Sequence, residues 1–593
     1  MSMQRRALLG GALALPFVAR AQAIPFTRVR PGDPGWPSQA EWDEFGNAVD
    51  GRLIRVKPTL DVCRTTPEGA ACREVFRELK NPYFIGDDPS LTQTMGWYQG
   101  WQSSPPEYVV MAKRAKDVAA AVNFAREKKL RLVVRGGGHS YLGTSNAAHS
   151  LMIFTRAMDG AVLHEAFVPQ NCSSPARPAV TVGAGAIWMH TYNAVTTGAG
   201  RYVQGGGCGT VGVAGLLQGG GFGSYSKQYG IAAASLLEAE VVTADGAVRI
   251  ANACTNPDLF WALKGGGGGT FGVVTRVTLA THELPKFFGG VSVVIQAASD
   301  KAFRDLVERF FVFYRERLFN PHWGEIANIR PRRRLDIQMA FQGLTQEEAT
   351  ALWQPFLDEL KASRDYTLEA PARIYAVPGQ RRWDPGFIRT HAPSAIHQDD
   401  RPGASADNIF WSANVPETGH YIQAFASRWL PQSLLADAAR GKLVDGLIEA
   451  ARRSSVEVHF QKGLAGGSPE AIAASRDTSV NPAVLDAFAL AIVASEGPPA
   501  LPGLPGHEPN LREAAENAAK VRRAEDTIQA LAGDSGSYVA ESSYFQSEWQ
   551  RDYWGGHYGR LLTLKQQIDP DTLFFVRHGV GSEGWSDDGF TRS

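Results

Sequence analysis

The chain has 593 residues, 44% hydrophobic and 20% charged, with 60 Lys+Arg against 60 Asp+Glu. That length exceeds what a single hydrophobic core supports, so two domains or more are expected. A formal net charge of zero excludes the strongly basic face with which nucleic-acid binders hold phosphates.

The opening MSMQRRALLGGALALPFVARAQA, residues 1–23, reads as a signal peptide. Arg5 and Arg6 precede a short apolar run, and Ala21-Gln22-Ala23 is a small-x-small cleavage site. The run is too short to cross a bilayer, which takes roughly 20 apolar residues. The arginine pair resembles a twin-arginine export signal, although Leu8 stands where Phe is usual. The mature chain is expected to start near Ile24, in the periplasm or outside the cell. Export lets cysteines oxidise. Cys63 and Cys72 can close a small loop, Cys172 and Cys254 can pair, and Cys208 is then odd.

Residues 24–60 are rich in Pro and Trp and read as an irregular leader. From Tyr108 the pattern turns regular: YVVMAK is a strand, AKDVAAAVNFAREKKL an amphipathic helix, RLVVRG a strand. AVTVGAG comes next as a strand, then LLEAEVVTADGAVRI as a hairpin turning at Asp245-Gly246. DLFWALKG is a helix running into Gly265–Gly269, and FGVVTRVTLATH resumes as a strand. After about residue 284 the texture changes. GGVSVVIQAA, LDIQMAFQG and SVEVHFQKG alternate as strands, with long helical stretches between them and at REAAENAAKVRRAEDTIQAL. Antiparallel sheet plus helices marks a separate α+β unit.

The 62 glycines are clustered, chiefly at 136–138, 205–223 and 265–272. Clustered glycine lets backbone pack close to a ligand. Within GGGCGTVGVAGLLQGGGFG, Gly207, Gly209 and Gly212 satisfy G-x-G-x-x-G. A Rossmann loop must open a full crossover helix, and only VGVAGLLQ stands between it and the break at Gly219–Gly221. The two loops read better together. Bare amides can cradle a pyrophosphate. His139 ends the first loop and Cys208 lies inside the second. Alone, each reads as a loop histidine or a buried thiol. Together they suit FAD attached twice, by imidazole to its 8α-carbon and by sulfur to ring carbon 6.

Four motifs occur in order: RGGGHSYLGTS at 135–145, GGGCGTVGVAGLLQGGGFG at 205–223, NPDLFWALKGGGGGTFGVVT at 256–275 and WGGHYGRLLTLKQQIDPDTLFF at 554–575. On these the chain resembles the berberine bridge enzyme-like oxidases of the vanillyl-alcohol-oxidase (VAO) superfamily, over nearly the whole mature chain. The resemblance implies an α+β fold. A two-subdomain PCMH-type FAD-binding domain with its leader would span residues 24–283. A helix-covered antiparallel-sheet substrate domain would span 284–537, and a berberine-bridge-like segment, 538–593, would return to the FAD domain.

The resemblance also implies roles. Arg135, Gly136, Gly137, Gly138, His139, Ser140, Gly143, Thr144 and Ser145 would hold the pyrophosphate. His139 would carry the 8α bond and Cys208 the 6-S bond. Gly207, Thr210, Val211, Gly212 and Gly215 would line the ring and pyrophosphate. Gly219, Gly220, Gly221 and Gly223 would let a further strand pass close to the ligand. Gly272 and Val274 would approach the adenosine or the ring edge, and Tyr558 would lie near the flavin. Hydride would pass from an alcohol, sugar or related small-molecule C–OH (or C–H) substrate to FAD and on to O2, giving peroxide. No H-E-x-x-H or C-x-x-C occurs, so no zinc site is expected.

Hydride transfer needs a base for the hydroxyl proton. Relatives read Y-x-N-Y where this chain has Tyr538-Val539-Ala540-Glu541, so a carboxylate stands at the second Tyr. Glu541 is a candidate base, with a salt bridge as the plain alternative; Tyr538 and Tyr544 are the others. Trp323, Trp383 and Trp411 can line a pocket, though core packing is the plainer account. GDSGS at 533–537 mimics a serine-protease signature, but NAAHS at 146–150 lies far from it in sequence. A dehydrogenase with another acceptor, or a non-catalytic flavin or sugar binder, are the alternatives to an oxidase.

Overall fold

The computed structural model describes residues 26–592. The signal-peptide reading and the expected start near Ile24 lie outside them. The strand Tyr108–Met111, the helix Ala115–Glu127 and the strand Arg131–Arg135 form as expected. The helix starts where the Asp117 carboxylate accepts the amides of Lys113 and Arg114 at 3.0 and 3.1 Å, satisfying donors that a helix start leaves orphaned. The two strands are not neighbours. Ser150–Phe154 lies between them, parallel to both, in a four-stranded sheet completed by Leu53–Arg55. Ser150–Phe154 is buried at every position, as a central parallel strand should be.

A second, five-stranded sheet is antiparallel, in the order Val248–Asn252, Leu236–Val242, Val273–Ala280, Arg177–Gly183, Ala161–Phe167. Its first pair is the expected hairpin, turning through Gly246 at φ +79°. The disulfide Cys172–Cys254 closes across this region and Cys63–Cys72 staples the segment that follows the leader, leaving Cys208 as the free thiol among the described residues.

The third sheet is the substrate-side floor. Its central strands Phe287–Ala297, Arg334–Gln342, Trp323–Arg330, Val456–His459, Ala487–Gly497 and His420–Pro431 pair antiparallel. One face carries residues such as Ile337, Val456, Val458 and Ala491 into a core shared with helices Asp300–Phe313, Gln346–Ala362, Asp437–Ala451 and Leu511–Ala532. Period-two alternation then puts Glu457 and His459 on the opposite face. The segment between the leader and Tyr108 contributes a strand here: Thr94–Trp97 pairs parallel with His420–Pro431. Trp323 and Trp383 belong to cores, and Trp411 is half-buried. Among the described residues no helix is long and apolar enough to span a membrane.

Candidate active site

Two glycine loops meet backbone to backbone. A Cβ on Gly137 would lie 2.5 Å from the Gly212 amide nitrogen, and one on Gly212 would lie 2.8 Å from that of Gly137. Only glycine fits at both positions. This contact brings His139 beside Cys208. The Thr210 hydroxyl stands 3.2 Å from His139 Nε2 and 3.7 Å from Cys208 Sγ. The second loop is itself pinned, because the Met189 amide donates to the Gly209 carbonyl at 2.7 Å and the Trp188 amide to that of Val211 at 3.1 Å.

Burial, with Arg135 adding to it, pushes the His139 imidazole down to about 4, so it is neutral at pH 7. Burial pushes the Cys208 thiol up to about 11, against hydrogen bonds from Thr210 and Val211 that favour the thiolate. Both side chains nevertheless keep accessible surface, as do residues 140–148. A group lining a concave recess can be accessible to water and still be surrounded by protein.

The Arg135 guanidinium is fully buried and turns to carbonyls, donating to Leu91 O and, at 3.0 Å, to Ile85 O, while its Nε has no hydrogen-bond partner. It anchors residues 85–91. Gly138, at φ +76°, makes room for it, since a Cβ there would lie 2.6 Å from Arg135 Nε. Gly143 lies against the face of Trp101, and Gly136 lies near Ala184 O. Ser140 and Thr144 share a hydroxyl–hydroxyl bond of 2.7 Å, and Ser145 is half-buried. The amides of Gly137, Gly138, His139 and Ser140 have no protein acceptor among the described residues. Successive orphan amides need an external acceptor. With a neutral imidazole and a thiol beside them, they fit a dinucleotide flavin.

The later glycines serve protein, not ligand. Gly219 approaches the Tyr538 hydroxyl, Gly220 the Val480 side chain, Gly221 that of Leu216, and Gly223 the Gly205 carbonyl. Past Gly223 the chain forms the short helix Ser226–Tyr229, not a strand. Gly215 has open space around it, and Gly207 is exposed. A Cβ on Gly272 would lie 2.7 Å from Val242 O, and Val274 is buried in strand register with Val241. Tyr558 packs with Trp549 and Trp554 and donates to Glu583, away from the contacts of His139 and Cys208.

Opposite the loops stands a polar wall, built on the face of the large sheet turned away from its helices and on neighbouring loops. Glu541 is ion-paired with Lys462. His459 Nε2 lies 2.9 Å from Glu457, and Gln461 donates to Glu325 at 3.2 Å. Glu325 also accepts from Ser224, and its Oε1 is the nearest atom to a Cβ on Gly207, at 3.7 Å. Glu325 has φ +73°, a strained setting for a non-glycine strand residue that points to function. Tyr141 donates to Glu417 at 3.0 Å, and burial raises the Glu417 carboxyl even though it keeps accessible surface. Glu325, Glu417, Gln461 and Lys462 escape a sequence reading because they come from separate strands and loops; Tyr141, two residues past His139, carried a local signal.

The other base candidates are placed elsewhere. Tyr538 is buried edge-on against Phe222, 5.0 Å between rings, and burial pushes its hydroxyl well up. Tyr544 lies beside Trp97 and under the Arg577 guanidinium. Ser535 donates to Trp429 O, while His149 bonds Glu107, so the protease signature assembles nothing. A cavity of about 500 Å³ lies between strand His420–Pro431, helix Leu511–Ala532 and residues 543–552. Neither His139 nor Cys208 lines it.

Residues 106–252 match the family described as "FAD binding domain", and residues 534–581 the family described as "Berberine and berberine like". A VAO-type flavoprotein oxidase of Thermothelomyces thermophilus is 30% identical over 95% of this chain and 94% of its own. The chain belongs to the berberine bridge enzyme-like VAO flavoproteins. It is an FAD-dependent oxidoreductase of that type. The crystal structure of the VAO-type flavoprotein MtVAO615 from Myceliophthora thermophila superimposes with a TM-score of 0.76 at 26% identity, covering 96% of this chain and all of that one. A glucooligosaccharide oxidase of Acremonium strictum, described as carrying 6-S-cysteinyl, 8α-N1-histidyl FAD, shares the fold. Its TM-score is 0.61 at 18% identity, over 88% of this chain and 99% of that one. The short helix Val213–Gln218 after the second loop agrees with a VAO-type rather than a Rossmann cofactor domain.

Proposed function

We propose that this chain is an exported oxidase that takes hydride from the C–OH group of a polar, hydroxyl-rich small molecule, holds FAD through His139 and Cys208, and reduces O2 to hydrogen peroxide. The observation that carries the reading is the convergence of His139 and Cys208 on one hydroxyl, across a recess from a wall of carboxylates and amides. FAD supplies the hydride acceptor. The glycine-loop amides bind its pyrophosphate. Glu541 takes the substrate hydroxyl proton, and its ion pair with the Lys462 ammonium holds that carboxylate in place. Glu325 and Gln461 accept from and donate to further hydroxyls, a pairing that suits sugars or polyols better than an apolar alcohol. The glucooligosaccharide oxidase of shared fold supports the same class. The two disulfides suit export, by the twin-arginine route, to the periplasm or beyond. The domain limits proposed are 24–283, 284–537 and 538–593, with Thr94–Trp97 as a strand lent to the middle unit.

The test is a panel of sugars, polyols and aromatic alcohols on purified protein with a peroxide readout. Yellow colour should survive acid precipitation, and a sugar or polyol should bleach it anaerobically and yield peroxide in air. Bleaching without peroxide would make the enzyme a dehydrogenase. No bleaching by any substrate would leave a binder.

A further inference from the structure

We propose that Thr210 is the positioning residue for cofactor attachment: its hydroxyl engages His139 Nε2, leaving to the flavin the other ring nitrogen, Nδ1, the one bonded in the N1-histidyl linkage of the glucooligosaccharide oxidase, and it links that imidazole to the Cys208 sulfur. This rests on the doubly attached FAD proposed above. His139 closes the first glycine loop and Cys208 lies in the second, and the chain between them contributes strands to three sheets. Thr210 is the side chain that reaches both, at 3.2 Å to Nε2 and 3.7 Å to Sγ. It is itself buried, so water does not compete for its hydroxyl.

A hydroxyl has one donor and two acceptor sites, so Thr210 can accept from one partner while donating to the other. A neutral imidazole carries one N–H. With that hydrogen on Nε2 and directed at Thr210 Oγ1, the Nδ1 lone pair is free, and the Thr210 hydroxyl hydrogen is directed at sulfur. The chemistry balances as two like steps. Bonding of Nδ1 to the 8α-carbon replaces one C–H bond, and the imidazole gives up its Nε2 hydrogen on the side that Thr210 faces. Bonding of Sγ to ring carbon 6 replaces one C–H and one S–H bond. Each step releases two protons and two electrons, and O2 takes both as hydrogen peroxide. Amides of Thr210 and Val211 directed at Cys208 favour the sulfur anion as its proton leaves.

The test uses holoprotein as expressed, denatured in acid and digested, with flavin peptides identified by mass spectrometry and the histidyl linkage by NMR. Wild type should carry one flavin bridging the His139 and Cys208 peptides, bonded through Nδ1. Thr210→Val should lower the doubly bonded fraction at least tenfold or divert the bond to Nε2, and Thr210→Ser should restore it. Wild-type flavin bonded through Nε2 would overturn the proposal, and it needs no variant to fold. So would a Thr210→Val protein doubly bonded through Nδ1 at the wild-type level, or a Thr210→Ser protein as deficient as Thr210→Val. Wild-type flavin bonded to neither side chain would remove the double-attachment reading, and this proposal with it. A doubly bonded wild type with an unaffected Thr210→Val removes this proposal alone.

Discussion

The recess has two walls built on different physics. The cofactor wall, residues 136–145 and 205–223, is steric. Its glycines let two backbones touch, and its polar side chains are neutral: hydroxyls, one amide, an imidazole and a thiol. The substrate wall, from Glu325, Glu417, Glu457–Lys462 and Glu541, is electrostatic: four carboxylates, a histidine and one lysine held on a sheet face and the loops beside it. The first wall should fail when volume is added, the second when charge is removed.

The largest effect is expected at the substrate wall. Glu541→Gln keeps shape and removes the proton acceptor, and kcat should fall about 10²–10⁴-fold with the melting temperature unchanged; unchanged kcat with full flavin content would return Glu541 to a structural salt bridge. Gly137→Ala comes next. Added volume against the Gly212 backbone should cost about 3 kcal/mol or more and cut flavin content in the purified protein. Full occupancy and an unaltered melt would refute the steric account of that wall.

Lys227 joins the two walls and sharpens the contrast. It lies in the helix after the second glycine loop, fully buried, and donates to the carbonyls of Gly463, Ala465 and Phe488 at 2.7, 2.6 and 3.2 Å. The first two lie just past Gln461 and Lys462 in the chain. Lys227→Met should cost about 2 kcal/mol through carbonyls left without donors, read by denaturant unfolding. Burial brings the Lys227 amine down to about 7, below its value in the unfolded chain. Above that pH the unfolded chain holds a proton that the folded chain has released. The Lys227 contribution therefore rises with pH from about 7 toward 10, by at most about 1.4 kcal/mol per pH unit, and the advantage of wild type over Lys227→Met should widen between pH 7 and 9. A constant difference would show that the amine keeps its proton.

The smallest effect separates function from stability at one residue. Glu325→Gly relieves a φ of +73°, so stability should hold or rise by about 1 kcal/mol. KM for the hydroxylated substrate should rise about tenfold through loss of a charged hydrogen bond. A fall in stability with KM unchanged would make Glu325 a structural residue.

Much of the fold was legible because it is written locally. The helix Ala115–Glu127, the hairpin at Gly246 and the run of alternating strands each have a period that a short window contains. Arg135 shows where that reading stops. Its place in RGGGHS suggested phosphate, yet its guanidinium goes to carbonyls of residues 85–91, which no neighbour in sequence announces. Gly219–Gly223 likewise looked like a ligand cradle and are pressed instead by Tyr538, Val480 and Leu216.

By itself the sequence determined the secondary elements, the glycine-loop cofactor class, and His139 and Cys208 as the attachment residues to propose, because spacing and residue type along one short stretch carry that chemistry. Tertiary structure alone decided that Gly137 presses on Gly212, that Thr210 stands between His139 and Cys208, and that Lys462 neutralises Glu541. Those contacts join residues some seventy or eighty positions apart, and the pairing of distant backbones is fixed by sheet register and core packing, which no local pattern encodes.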